Sequence, residues 1–333
     1  MEKKIKELVD GAQRVLVLQA DNPDADSLAS ALALEQILEE AGKNVYLYCG
    51  IDVPEYLKYL AGWDRVSHEL PSQFDLSIVV DASTMTLFQK LAESGKQGWV
   101  AGKPCIVLDH HAEVDNHIPF ATVNLTNTEV ASTGQLIYDL ASKLNWPLDK
   151  TSAEFILTSI LGDTQGLTNN LAGAETYRVV AELIELGADR PRLEEERRAA
   201  SKMHPDIFRY KAELIDRTEL LAEGRLALVV VPQQEINKFS PLYNPAPLIQ
   251  GDMLQTTGVG VAVVLKKYDD GKILASIRCN QDSPVAADLA THFGGGGHKY
   301  AAGFKITSGK PFEQVKADVI KTATELLSKL VLT

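Results

Sequence analysis

Five aspartates and an adjacent pair of histidines stand out by type and by position. Asp24 and Asp26 follow the apolar run RVLVLQ (14–19), and Asp81 follows FDLSIVV (74–80). Asp109, His110 and His111 follow KPCIVL (103–108), and Asp163 closes the apolar stretch EFILTSILGD. Carboxylates gathered on one edge repel one another unless cations lie between them. Oxygen donors with some imidazole suit Mg²⁺ or Mn²⁺ rather than a structural zinc. Two ions sharing a bridging carboxylate can activate a water and stabilise both oxygens of an in-line displacement at phosphorus. The Asp-x-Asp spacing of Asp24 and Asp26 lets one turn serve both ions. Plainer readings stand beside this one. Asp24 is placed to N-cap the helix that follows, and a lone Asp at a strand end is commonly a turn residue. Convergence of several segments, rather than any one residue, favours metal.

These residues share an edge only if the apolar runs are parallel strands. RVLVLQ, NVYLYC (44–49), FDLSIVV and KPCIVL alternate with helical patterns, including SLASALALEQILEEAG (27–42) and a stretch near 54–61. That alternation predicts an α/β fold with βαβ units and a mostly parallel sheet. Ligands bind at the carboxyl ends of the strands in such sheets. Helices are expected over 133–144, 151–161 and 175–186. The charge-rich stretch 191–223 reads as helix, break at His204-Pro205, and helix. The expected division is a metal-binding domain over 1–190, a helical linker over 191–223 and a smaller α/β domain over 224–333.

In the second domain the pattern predicts a strand at 226–231, and a Pro-rich loop leading into a helix within 240–253. A hairpin pairs 259–267 with 272–280 across an Asp-Gly turn, followed by a helix (284–291), a strand (301–306) and a C-terminal helix (311–331). Between the last strand and the helix before it lie Gly294, Gly295, Gly296 and Gly297, then His298. Consecutive glycines let backbone N–H groups approach a phosphate closely, and Arg278 and His298 can add charged donors. The plainer reading is a flexible hinge, but the sharp return to an apolar strand favours a positioned loop. Tyr243, Phe293 and Tyr300 have rings that can stack on a base, although packing is the safer assignment for each. His68, His117, His204 and His292 are read as structural.

Composition bounds the partners. The chain has 333 residues, 45% hydrophobic and 23% charged, with a formal net charge of -12. That balance suits a globular protein and argues against a broad basic track for long nucleic acid. It leaves room for a short anionic ligand in a local pocket. Cys49, Cys105 and Cys279 lie far apart in apolar stretches, which suggests buried free thiols in a reducing compartment. The first residues lack the apolar core of a signal peptide, and there is no apolar run of about 18 residues. A cytoplasmic location and no membrane contact are expected.

Taken together, NPDADSLAS (22–30), VVDAS (79–83), LDHHAEVDN (108–116) and LGDTQGLTNN (161–170) resemble the four motifs of the DHH phosphoesterase superfamily. SIRCN (276–280) and FGGGGHKYAAGF (293–304) resemble its DHH-associated C-terminal domain. The pattern is most similar to nanoRNA hydrolases that also dephosphorylate pAp, and to cyclic-dinucleotide phosphodiesterases. The resemblance implies a parallel-sheet domain and a smaller α/β domain with a cleft between them. It implies two Mn²⁺ ions, with Mg²⁺ as an alternative, and a metal-activated water. Asp24 and Asp26 would each bind one ion, Asp81 would bridge them, and His110 and Asp163 would complete one shell. His111 would contact the scissile phosphate, with Asp109 orienting the histidine pair. Arg278, the glycine run and His298 would hold a terminal nucleotide. Partners would be short nucleotides (nanoRNA, pAp, dinucleotides), and a homodimer stays open.

Two departures qualify this. The family usually opens H-x-N-P-D-x-D, whereas this chain has Ala20 at the histidine position, flanked by Gln19 and Asp21. One metal site is therefore expected to be weakened, unless Gln19, Asp21 or water compensates. VVDASTMTLF also lacks the Asp-x-x-Arg tail that often follows the bridging Asp. Three rival readings are an inorganic pyrophosphatase, a nucleotide-binding sensor with weakened catalysis, and a nuclease for long single strands. The Gly-Gly-Gly-Gly-His run, the remaining ligands and the missing extra nucleic-acid domain count against them in turn.

Overall fold

The computed structural model describes residues 1–111, 117–239, 244–307 and 309–330. The chain divides into two compact units, Met1–Lys202 and Met203–Thr333. The boundary falls inside the stretch read as a linker, and its two helices belong to different units. Helix Arg190–Ala200 carries Arg192, which pairs with Glu154 of the first unit at 2.5 Å. Helix Pro205–Asp216 buries Tyr210 and Leu214 in a core of the second unit.

The first unit is an α/β domain around six parallel strands: β1 (Arg14–Gln19), β2 (Asn44–Cys49), β3 (Val66–Ser67), β4 (Leu76–Val80), β5 (Cys105–Asp109) and β6 (Val123–Thr126). Their order is β3-β2-β1-β4-β5-β6, and every pairing is parallel. Strands β4 and β5 are buried throughout, as expected of strands covered on both faces. Side chains of β1 alternate between two cores. Val15 and Val17 pack on the helical side, while Leu16, Leu18 and Ala20 pack with Phe74 and Phe88 on the other.

Strand order reverses between β1 and β4, so their carboxyl ends splay apart and open a crevice. Asp24, Asp26 and Asp81 follow these two strands, and Asp109 ends β5 next door. Helix Ala25–Glu40 covers this edge. It is buried around most of its circumference, with Leu28, Leu32, Leu34, Ile37 and Leu38 all inside. An all-round apolar helix belongs in an interior, and here helices Thr133–Leu144 and Lys150–Asp163 pack against it. Two glycines allow the close approach. A Cβ on Gly162 would come within 2.9 Å of the Ala25 methyl, and one on Gly134 within 2.1 Å of Ser159 Oγ. These contacts draw Asp163 toward Asp26 and seat the start of Thr133–Leu144 beside both.

The second unit is a mixed sheet in the order β11-β12-β10-β9-β8-β7. Its strands are β7 (Glu219–Leu221), β8 (Leu226–Pro232), β9 (Val261–Lys267), β10 (Ile273–Cys279), β11 (Gly296–His298) and β12 (Ala301–Ile306). Only β8 and β9 run parallel; the other pairs are antiparallel. Leu226 and Leu228 face a core with helix Phe312–Leu330, while Ala227, Val229 and Val231 face one with Pro205–Asp216 and Pro245–Gln255.

Several local expectations change. The stretch near 54–61 holds only a three-residue 3₁₀ turn, Glu55–Leu57, because Pro54 and Gly62 bracket too few residues for a stable helix. Part of the glycine run is strand rather than loop, since Gly296–His298 pairs with Ala301–Gly303. Short β3, β6 and β7 go unanticipated. No helix among the described residues is long and apolar enough to cross a membrane.

Candidate metal centre

His110 Nε2 is the centre of the cluster. Asp163 Oδ2 lies 2.9 Å from it, Asp26 Oδ2 3.5 Å and Asp81 Oδ1 3.7 Å. Four elements meet here: the ends of β4 and β5, the first turn of Ala25–Glu40 and the last turn of Lys150–Asp163. His110 Nε2 is buried, with the Asp163 carboxylate its nearest partner. Three carboxylates facing one imidazole form a donor set that could hold a divalent cation. The sets Asp26–His110–Asp163 and Asp81–His110–His111 each bring their ligand atoms within 4.8 Å of one another.

Asp26 is fully buried and densely bonded. Its oxygens accept from Thr133 N (2.8 Å), Gly134 N (3.3 Å), Ser30 Oγ (2.9 Å) and Ser159 Oγ (2.5 Å). The two amides open helix Thr133–Leu144, whose N-terminus favours a negative charge. Asp81 holds a left-handed backbone, φ 57°, unusual outside glycine and a form of strain common at functional sites. Thr133 Oγ1 donates to its Oδ1 at 3.2 Å. Burial, and then the charges of Asp26, Asp24, Asp163 and Asp109, push the Asp81 carboxyl well above the ordinary range. Burial also raises Asp163, with Asp26 adding to it.

The second histidine is held differently. His111 Nδ1 donates to Asp109 Oδ1 at 2.8 Å, and the same oxygen accepts the backbone N–H groups of His110 (2.8 Å) and His111 (3.2 Å). That bond raises the imidazole above its ordinary value. Burial acts to raise Asp109, but the bond and the charge of His111 outweigh it and hold the carboxyl low. His111 is thereby oriented, largely exposed and biased toward its cationic form.

Asp24 fulfils the capping alternative. Its Oδ1 accepts from Ser27 N at 3.0 Å, and Ser27 Oγ accepts from Asp24 N at 2.9 Å. It also borders a cavity of ≈ 230 Å³ with Ala20, Asp81 and His111. Burial raises its carboxyl, with Asp26 and Asp163 contributing. Asp24 does not join either of the close ligand sets. Sequence reasoning missed Thr133, Gly134, Ser30 and Ser159, which anchor Asp26. The Ser132-Thr133-Gly134 run was the available signal, since Ser132 caps the next helix.

In the second unit Arg278 is exposed, its Nη1 donating to Ile277 O at 2.9 Å, and it forms no ion pair among the described residues. Gly294 and Gly297 adopt positive φ (76° and 137°). A Cβ on Gly295 would lie 2.2 Å from Gly303 O, so this glycine is required by packing. His298 is exposed, its ring 5.6 Å from Tyr300. Phe293 stacks on Phe304 at 4.6 Å and serves the core. Tyr243 lies outside the described residues. His117 bridges to Thr84, His68 pairs with Asp52 at 2.7 Å and His204 caps Pro205–Asp216, so each has a structural role.

Comparison with known proteins settles the family. Residues 14–160 match the DHH family N-terminal domain, and residues 246–329 match the DHHA1 domain. The chain belongs to the DHH family. The DHH match covers the strands and four of the five aspartates, and Asp163 follows just beyond it. A Bacillus subtilis relative, the bifunctional oligoribonuclease and PAP phosphatase NrnA, is 25% identical, covering 89% of this chain and 90% of its own. The Thermus thermophilus protein of the same name is also 25% identical, covering 92% and 88%. The Geobacillus thermodenitrificans cyclic-di-AMP phosphodiesterase GdpP is 22% identical over 94% of this chain but only 48% of its own. Among solved structures, an exopolyphosphatase-related protein from Bacteroides fragilis shares the DHH fold over 100% of this chain and 97% of its own, with a TM-score of 0.85 and 21% identity.

Proposed function

We propose that this chain, a metal-dependent phosphoesterase of the DHH family, hydrolyses phosphate esters of short nucleotides: nanoRNA and dinucleotides, pAp, or linearised cyclic dinucleotides. The observation that carries the reading is the buried His110 Nε2 facing the carboxylates of Asp26, Asp81 and Asp163. These residues fit a divalent cation, and their oxygen-rich character with one imidazole suits Mn²⁺, with Mg²⁺ as an alternative. The chemistry a cation supplies when bound there is positive charge for phosphoryl oxygens and a more acidic water. His111 contributes a proton-bearing, oriented imidazole for the scissile phosphate, held by Asp109. Thr133 and Ser159 fix Asp26 so that it need not reorganise.

Arg278, His298 and the backbone of Gly294, Gly296 and Gly297 hold the nucleotide's far phosphate or ribose. Charge-assisted donors of this kind recognise one end of a short substrate without a long basic surface. Names of the relatives support nucleotide esters over pyrophosphate. The pyrophosphatase alternative is not favoured. The test is purified protein with Mn²⁺ and a panel of pAp, a 5′-phosphorylated dinucleotide, linear cyclic-dinucleotide product, pyrophosphate and long single strands. Turnover of one of the first three, above the last two, is expected. Tight binding of a nucleotide without turnover of any would replace the proposal with a sensor.

A further inference from the structure

We infer that side chains of this protein hold one divalent cation firmly, and that a second enters only together with the substrate's phosphate, in the pocket beside Ala20. The inference rests on the proposed function and concerns how its site is filled. The two positions differ in what surrounds them. Around His110 Nε2, four ligands from four elements converge, and each is largely buried. Beside Asp24 the pocket is lined by Asp81, Asp109 and His111, and the last two are bonded to each other. One oxygen of Asp24 already accepts the Ser27 amide.

The neighbours that could compensate for Ala20, Gln19 and Asp21, are not among the residues lining the pocket. Asp21 is turned the other way: its Oδ2 accepts Lys90 N at 2.7 Å, and its Oδ1 sits where a Cβ on Gly50 would be, 2.3 Å away. Gln19 is fully buried with both amide atoms unpartnered among the described residues, and strand alternation points it to the opposite face of β1 from Ala20. The Cys49 thiol donates to Ala20 O at 3.3 Å, and burial pushes it up to about 11, so it supplies no thiolate.

What Ala20 leaves is space. The cavity of ≈ 230 Å³ has an apolar wall of Ala20, Ala82 and Leu87, with Asn22, Ser83 and Thr84 among its polar groups. At about 30 Å³ per water, it has room for a cation with several oxygen ligands. Asp109 borders it too, and the Oδ2 of this 1%-exposed residue is buried without a partner. A buried carboxylate oxygen left unpaired beside a cavity points to a cationic or donor-bearing occupant.

One oxygen each from Asp24, Asp81 and Asp109 leaves about half of the six sites of Mn²⁺ or Mg²⁺ to water. Phosphate oxygens would add both ligands and charge. Ion and phosphate then raise each other's affinity by the same factor, as linkage requires.

The test uses metal-stripped full-length protein, Mn²⁺ titration by calorimetry and electron paramagnetic resonance, and inorganic phosphate as the probe. One tightly bound Mn²⁺ per chain is expected without phosphate. Saturating phosphate should add a second, tightened at least about tenfold, with spin coupling between the two ions. Ala20→His should bind two without phosphate, and Asp24→Asn should keep the first and lose the phosphate-dependent one. Two equally tight ions in the wild type without phosphate would overturn the inference, as would a second affinity indifferent to phosphate. No step needs turnover. Failure on the nucleotide panel with this binding pattern intact would remove the proposed function alone.

Discussion

Asp26 serves two purposes that mutation can separate. It faces His110, where it would bind the proposed cation, and it anchors the first turn of Thr133–Leu144. Asp26→Ala removes the only acceptor that the described residues give Thr133 N, whereas Ser30 Oγ can turn to the helix carbonyl four residues back, Gly134 N retains Ser159 Oγ at 2.9 Å and Ser159 retains Ser132 Oγ at 2.7 Å. One stranded buried amide costs about 1–3 kcal/mol and loss of the charge at a helix N-terminus about 1 kcal/mol, so Asp26→Ala loses roughly 2–4 kcal/mol before relief of repulsion. That relief, from Asp24, Asp81 and Asp163, acts in the opposite direction and is shared by any neutral substitution. Asp26→Asn keeps an acceptor for Thr133 and gains the same relief, so without metal it should stay within about 1 kcal/mol of wild type. Urea denaturation in EDTA measures both variants. Adding Mn²⁺ should then stabilise the wild type and neither variant. Equal metal-free stability of the alanine and asparagine forms would refute the claim that the amide bond holds this residue.

Other outcomes follow from the same geometry. Burial raises Asp24 and Asp81, and Asp163 with them, so folded metal-free protein keeps protons that the unfolded chain releases above its ordinary carboxyl values. The bonds from Asp109 and Asp163 also raise His111 and, against burial, His110, a contribution present below the ordinary histidine value and lost as pH rises through the raised one. The site's contribution to metal-free stability therefore falls as pH rises, and thermal stabilisation by Mn²⁺ should be larger at pH 7.5 than at pH 5.5, roughly one unit on either side of the histidine value; the reverse order in a thermal-shift series would contradict this. Arg278→Ala should raise KM about 10–100-fold, the worth of a charge-assisted hydrogen bond, while leaving Mn²⁺ stabilisation intact. Gly295→Ala should cost about 1–3 kcal/mol by overpacking against Gly303 O, whereas Gly296→Ala, which faces open space, should change calorimetric stability little.

Much of the site was legible because its residues follow apolar strands, and parallel strands place their carboxyl ends on one edge. The positions of Asp26, Asp81 and His110 came from that rule, whereas Asp163 was expected near the core as the end of an apolar helix. What brings Asp163 to Asp26 was not legible, since it depends on Gly162 packing against Ala25 and Gly134 against Ser159 across three helices. Asp24 shows that one residue can satisfy a cap and still border the site. β6 and β7 escaped because four- and three-residue strands carry too little periodicity to register. The glycine run hid its strand because glycine has no side chain to alternate.

The central claim is that the His110 cluster holds the cation on which hydrolysis depends. It is tested most directly by following pAp and 5′-phosphorylated dinucleotide hydrolysis in EDTA-stripped wild type and His110→Ala, before and after Mn²⁺ is returned. The account predicts no turnover in stripped protein, recovery in the wild type, and a loss of more than about 100-fold in the variant. Turnover that survives EDTA, or a His110→Ala enzyme that recovers fully with Mn²⁺, would contradict it.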